Sequence, residues 1–286
     1  MRIAGVFFLI AVPFFAVCQE IPMIQTFSSR IDNPVRITEL AQNGSVVLMG
    51  ENDSWFPYRV ELKFNYLQNL SPAISNYEAV LMPGKRQLMK FRIISQNDSY
   101  SCPYSVRYII GYQKANPDTS QVYCVPLTEG SVAPSEVVPG VFYKNIFNLG
   151  KGDTLVAMRK GIVTSTAEVK IPAERLFNNS TIEVLHDDNT ISVYVVEGRS
   201  RILVREGEKI YPVEPLVISP DKGKVAVSLF DITKEGEVRP LNYNLENASP
   251  NASATTDIHV NHSQNLIEKE MDKKEKKKSE NGSLYH

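Results

Sequence analysis

The sequence predicts an all-β protein, and three observations carry that expectation. Apolar and polar residues alternate with period two in one run after another, as in "YRVELKFNY" at 58–66. Turn-forming residues punctuate the runs, most clearly Pro83-Gly84 and Asn116-Pro117-Asp118. Apolar residues at helical spacing are almost missing. The 286 residues suffice for two modest domains with tails, and 43% hydrophobic with 22% charged residues is ordinary for a globular chain. A net charge of −1 gives no bulk attraction for nucleic acid, so none is expected as a partner.

Residues 1–18, "MRIAGVFFLIAVPFFAVC", start with one arginine and continue as an apolar run from Ile3 to Val17. A basic start, a short apolar core and a small-residue exit make a signal peptide. The run falls short of the ~20 residues a spanning helix needs, so no transmembrane segment is expected in the mature protein. Cleavage after Cys18 leaves a secreted or periplasmic chain. The alternative is a lipoprotein anchored through Cys18, although Val17 stands where a lipoprotein signal wants a small residue. Export leaves Cys102 and Cys124 as the remaining cysteines, in a compartment that permits a disulfide. The turn in "KANPDT" places Cys124 opposite about Ile109 and not Cys102, so a disulfide and two free, partly buried thiols both stay open. Asn-x-Ser/Thr sequons, from Asn43 to Asn281, read as polar loops and tail.

Residues 30–127 read as an antiparallel β-sandwich. Tyr58, Val60, Leu62, Phe64 and Tyr66 share one face of a strand; Met89, Phe91 and Ile93 do so in "QLMKFRII", and Val106, Tyr108, Ile110 and Tyr112 in "SVRYIIGY". Residues 128–140, rich in Pro, Ser and Gly, read as a linker. A second β-rich block spans 141–245. It contains "DTLVAMRKGIV", one helical turn at "PAERLFNN" with Pro172 in first position, and a hairpin turning at Asp187-Asp188-Asn189. It closes with "KVAVSLFDITKEGEVRPLNY", a strand, a turn and a second short strand, with Val225, Val227 and Leu229 on one face. Residues 246–286 are polar and then strongly charged, and read as a disordered, solvated tail.

Four segments of the second block are informative together: "KGDTLVAMRKGIVTS", "STIEVLHDDNTISVYVVEG", "RILVREGEKIYPVEPLVIS" and "VSLFDITKEGEVRPLNY". In order and spacing, over about 100 residues, they resemble the lysostaphin-type (LytM-like) zinc endopeptidases, which share a duplicated hybrid motif and cut peptide cross-links in bacterial peptidoglycan. The resemblance implies a β-rich peptidase-like domain behind the sandwich. The family binds zinc through a His-x-x-x-Asp pair and the second histidine of a His-x-His pair, and uses two further histidines in catalysis. By the resemblance the His-x-His pair falls on Val227 and Leu229, and the histidine after Tyr-Ala falls on Val196. The His-x-x-x-Asp pair falls near Phe142 and Ile146. The catalytic positions Val196 and Val227 and the metal positions Phe142, Ile146 and Leu229 are thus all apolar here.

A histidine count supports this without alignment. The region expected to fold contains His186 alone, while His259, His262 and His286 lie in the tail. An open zinc site needs three protein ligands with a fourth position for water. The sequence therefore predicts a pseudoenzyme of the cell envelope with no catalytic residues, no metal and no cofactor. By the resemblance, such a protein binds peptidoglycan or a cell-wall hydrolase. Two alternatives are an active endopeptidase with an unconventional site and a purely structural envelope protein. His186, beside Asp187 and Asp188, reads as a surface turn residue. Trp55, Phe56 and Tyr58 form an aromatic knot that either stacks on a ligand or packs between domains. Nucleophile elbows, phosphate loops and dinucleotide fingerprints do not occur.

Overall fold

The computed structural model describes residues 34–112, 117–118, 120–128, 132–138, 144–170, 178–198, 200–219, 221–246 and 256–280. The signal segment with Cys18, Phe142 and the turn beginning at Pro172 lie outside the described residues. The described chain is nearly all β, with strands arranged in antiparallel sheets, as the alternation predicts.

The first seven strands are β1 (Val35–Gln42), β2 (Ser45–Asn52), β3 (Tyr58–Phe64), β4 (Leu70–Ser71), β5 (Asn76–Leu81), β6 (Gly84–Ile93) and β7 (Tyr104–Ile110). They form two sheets, ordered β1-β2-β6-β4 and β5-β3-β7. Val46, Leu48 and Phe91 of the first pack with Val60, Leu62 and Phe64 of the second. Each buried side chain of this size is worth ~1.5–3 kcal/mol. Phe64 meets Phe91 edge-on at 5.4 Å, the arrangement ring quadrupoles favour.

Three positions depart from strict alternation. Tyr66 lies past the end of β3 and is exposed. In β6 the register passes from Met89 to Gln87 against Leu48 and Met49, so a bulge turns Leu88 into the core and leaves Met89 half-buried. On β7 the buried residue is Ile109, with Tyr108 exposed, because Ile109 meets the backbone of Gly236 in the second domain.

The second domain comprises β8 (Val122–Tyr123), β9 (Val132–Val138), β10 (Lys144–Leu149), β11 (Thr154–Val156), β12 (Gly161–Lys170), β13 (Asn178–Leu185), β14 (Thr190–Glu197), β15 (Arg201–Ile202), β16 (Lys209–Ile210), β17 (Pro215–Ile218), β18 (Gly223–Ile232), β19 (Val238–Leu241) and β20 (Asn244–Leu245). A large sheet runs β16-β12-β13-β14-β18-β10-β9, with β19 beside β18, and β11-β17-β15 forms a small sheet. One core joins them, with Val184, Tyr194, Val196 and Val227 from the large sheet and Leu155, Leu216 and Val217 from the small one. The hairpins expected at 187–189 and in the segment 224–243 both form. The expected linker does not: its residues 132–138 are β9, paired to β10. Its Pro and Ser content concealed a strand whose backbone is hydrogen-bonded.

The charged tail is also corrected. Residues 256–280 form β21 (Thr256–His259), α1 (Gln264–Glu268) and α2 (Lys273–Glu280), and β21 pairs antiparallel with β9. Val260, Ile267 and Met271 are buried, which gives this polar stretch enough apolar anchorage to dock. Asp272 caps α2 by accepting from the amides of Lys274 and Glu275, and Glu275 accepts in return from the Asp272 amide at 2.8 Å. The lysine run thus hides a capping box.

The sandwich is fastened to the second domain by polar contacts and close backbone approach. The Tyr112 amide donates to Asn189 Oδ1 at 2.8 Å, and Asn189 Nδ2 donates back to the Tyr112 carbonyl at 3.0 Å. Arg59 donates to the Lys234 carbonyl at 2.6 Å. The indole of Trp55 lies over Gly207, whose φ is +83°; a Cβ there would meet the ring at 2.4 Å, so only glycine fits.

Candidate functional site

Three of the five positions that the resemblance assigns to the reactive centre, Val196, Val227 and Leu229, come together in the core. β14 and β18 are adjacent and antiparallel, with Tyr194 opposite Val227 and Val196 opposite Val225. Val196 and Val227 are 0% exposed and Leu229 is 1% exposed, so these residues line no open cleft. Their surroundings are closed by aromatic side chains whose polar tips are tied to backbone. The Tyr243 hydroxyl donates to the Val227 carbonyl at 3.0 Å, and the Met158 amide donates to the Tyr194 hydroxyl at 2.9 Å. Tyr123 and Tyr243 meet edge-on at 5.6 Å. Burial raises the pKa of both Tyr194 and Tyr243, keeping the phenols neutral. Valine and leucine offer no lone pair, so this cluster can pack but cannot ligate.

Ile146 is not part of it. Asn145 pairs with Val227 in register, and Phe147 is the β10 side chain that enters the core. Alternation turns Ile146 to the opposite face. Ile146 therefore does not share the core with Val196, Val227 and Leu229.

His186 is corrected from a surface turn residue to a buried one, 1% exposed. It precedes the hairpin turn, but Tyr123 lies against its ring at 6.4 Å and Gly161 leaves room for it without a Cβ. Its Nδ1 is 2.7 Å from the Lys160 carbonyl, which only accepts, so Nδ1 carries the proton. Nε2 then accepts from the Ser192 hydroxyl at 2.7 Å. Burial, and next the Arg159 charge, lower its pKa well below the ordinary range. Both ring nitrogens are thus hydrogen-bonded within the protein, and the neutral ring is closed off from solvent.

Beside it lies a buried ionic cluster that the sequence did not reveal. Arg159 donates from Nε to both Glu270 oxygens at 2.8 Å and from Nη1 to Asp188 at 2.8 Å. Burial opposes its charge, but the Glu270 hydrogen bonds outweigh that and raise its pKa. Lys160 donates to the Glu270 carbonyl and to Glu275, each at 2.9 Å. Lys209 and Tyr211 also reach Glu275, whose pKa falls to about 2 because these partners overcome desolvation. Of its acids, Glu270 and Glu275 belong to the tail and Asp188 to the hairpin turn. The cluster is an anchor for that segment, with every cation matched to a carboxylate.

Cys102 and Cys124, the cysteines among the described residues, are free thiols. β7 pairs with β3, and β8 leaves the sandwich to pair in parallel with β20, so no hairpin joins them. The Cys102 thiol donates to Glu39 Oε2 at 3.2 Å, and burial, followed by that bond, pushes its pKa up to about 12. Cys124 is 0% exposed, and burial pushes it up to about 12 as well. Of the aromatic knot, Phe56 is buried, Tyr58 packs at the edge of the sandwich core, and Trp55 covers Gly207 while staying 42% exposed.

Among the described residues no helix is long and apolar enough to cross a membrane. No family model matches the chain, and no curated protein does. Among solved structures, Helicobacter pylori Csd3 in its orthorhombic crystal is similar at 11% identity and a TM-score of 0.32, over 89% of this chain and 79% of that one. The hexagonal crystal of Csd3 gives 12% identity and a TM-score of 0.32, over 88% and 77%. Overlap of that quality establishes no shared activity.

Proposed function

We propose that this chain is an exported, non-catalytic protein of the bacterial envelope, with a lysostaphin-type second domain that has lost its metal centre. It acts by binding peptidoglycan or by regulating a cell-wall hydrolase. One observation carries the reading: Val196, Val227 and Leu229, where the resemblance puts catalytic and zinc-binding histidines, are fully buried members of one apolar core. A single lost ligand is compatible with altered chemistry, whereas a filled core leaves no place for a metal-bound water or a substrate carbonyl. His186 does not substitute, since one imidazole, 1% exposed, cannot supply both the zinc ligands and the catalytic histidines of the family it resembles.

Co-sedimentation of the purified mature chain with isolated sacculi tests the binding half. Saturable retention supports wall binding. Absence of retention, together with failure to alter the turnover of envelope hydrolases, refutes both binding and regulation and leaves a structural role.

A further inference from the structure

Away from the filled core, three side chains from distant parts of the sequence converge on one point. Cys124 follows β8, Glu246 follows β20, and His262 lies between β21 and α1. One sulfur, one carboxylate oxygen and one imidazole nitrogen from these residues all lie within 4.8 Å of one another. Core packing holds each in place: Tyr123 and Val125 flank Cys124, Leu245 precedes Glu246, and Val260 lies just before His262, all within the main apolar cluster.

The hydrogen bonds leave the donor atoms pointing inward with nothing to bind. His262 Nε2 lies 2.8 Å from the Leu127 carbonyl, so it carries the proton and leaves a lone pair on Nδ1. That Nδ1 is buried and lacks a hydrogen-bond partner among the described residues; so does Glu246 Oε2, 4.0 Å away. The other Glu246 oxygen is taken by the Ser263 amide at 3.0 Å. The His262 side chain is 5% exposed and that of Glu246 13%. A gap of 4.0 Å is too long for a hydrogen bond. It is close to the roughly 3.3–3.8 Å between neighbouring ligands that metal bonds of ~2.0–2.3 Å set in a tetrahedral site. An imidazole that donates its far N–H to a backbone carbonyl is oriented as metal-binding histidines are.

We propose that Cys124, Glu246 and His262 bind a divalent transition-metal ion of the zinc class, which fastens the C-terminal segment to the second domain. The donor set selects the metal. Thiolate and imidazole favour a borderline-soft ion such as zinc over magnesium or calcium, which take oxygen ligands. Three protein ligands leave a fourth position for water or another donor. The site is distinct from the filled positions Val196, Val227 and Leu229.

The test is metal retention by the full-length mature chain after zinc loading and gel filtration, with cobalt titration in parallel. Wild type is expected to keep one zinc per chain, and cobalt to give the near-ultraviolet charge-transfer band of a thiolate ligand. Cys124→Ser and His262→Ala lose both signals, and Cys102→Ser keeps them. Should a variant misfold, the wild-type thermal midpoint gives an independent answer: zinc raises it, magnesium does not, and no rise with zinc counts against the site. Zinc failing to remain on wild type, cobalt binding without the thiolate band, or retention undiminished in both site variants would overturn the proposal. Muropeptide release is scored separately, so failure of this site and failure of the non-catalytic reading are told apart.

Discussion

Leu229→Ala distinguishes a filled core from an open groove. Leu229 is 1% exposed and packs with Val227 and Tyr194. The substitution removes three carbons, worth about 2.4 kcal/mol at ~0.8 kcal/mol per carbon. The sheets around it are hydrogen-bonded on both sides of β18 and cannot collapse fully. A residual cavity of roughly 40–80 Å³, at ~24 cal/mol per Å³, adds about 1–2 kcal/mol. The expected loss is about 3.5–4.5 kcal/mol, read as a lower urea midpoint with an unchanged slope at pH 7. Were Leu229 the wall of a wet cleft, water would refill the space and the change would stay within about 0.5 kcal/mol. A loss below about 1 kcal/mol refutes the closed core.

Replacing both Val227 and Leu229 with histidine recreates the His-x-His spacing but buries two imidazoles in apolar surroundings; loss of the folded state by circular dichroism is expected, without gain of peptidase activity. His186 makes stability fall in acid. Its folded pKa is lowered, so the unfolded chain takes up a proton first, and stability present above the unfolded value of ~6.5 is lost at up to ~1.4 kcal/mol per pH unit as pH drops below it. His186→Gln flattens that slope in urea titrations between about pH 6.5 and 5, above the range where Asp188 and Glu275, whose pKa values are lowered, add their own losses. Glu270→Ala leaves the buried Arg159 one carboxylate, Asp188, in place of two and costs ~3–5 kcal/mol of tail docking, seen as faster proteolytic cleavage within residues 256–280.

Much of the fold is legible in the sequence because period two survives wherever one sheet face is buried. Val60, Leu62 and Phe64 alternate as written, and the hairpins at Asp187-Asp188-Asn189 and at 233–236 follow from their turn residues. Alternation fails where geometry intervenes, as at the Leu88 bulge and at Ile109, which the second domain covers. His186 was misread because turn position suggests exposure, whereas Tyr123 from a distant strand covers it. The tail was misread from composition. Its signals were local and small: the Asp272-Lys273-Lys274-Glu275 box and two spaced apolar anchors, Ile267 and Met271. Its buried carboxylates become intelligible only once the fold brings Arg159 and Lys160 to them. Nothing in spacing alone brings Cys124, Glu246 and His262 together: the parallel pairing of β8 with β20 sets Cys124 near Glu246, and the bonds of His262 to Leu127 and Ser263 to Glu246 bring in the third.

The central claim, a lysostaphin-like scaffold without its reactive centre, meets its most direct test in peptidoglycan digestion. Purified mature chain is incubated with isolated peptidoglycan, with and without added zinc, and soluble muropeptides are resolved chromatographically. The account predicts a profile identical to the buffer control in both conditions. Release of new muropeptides that a chelator abolishes would contradict it.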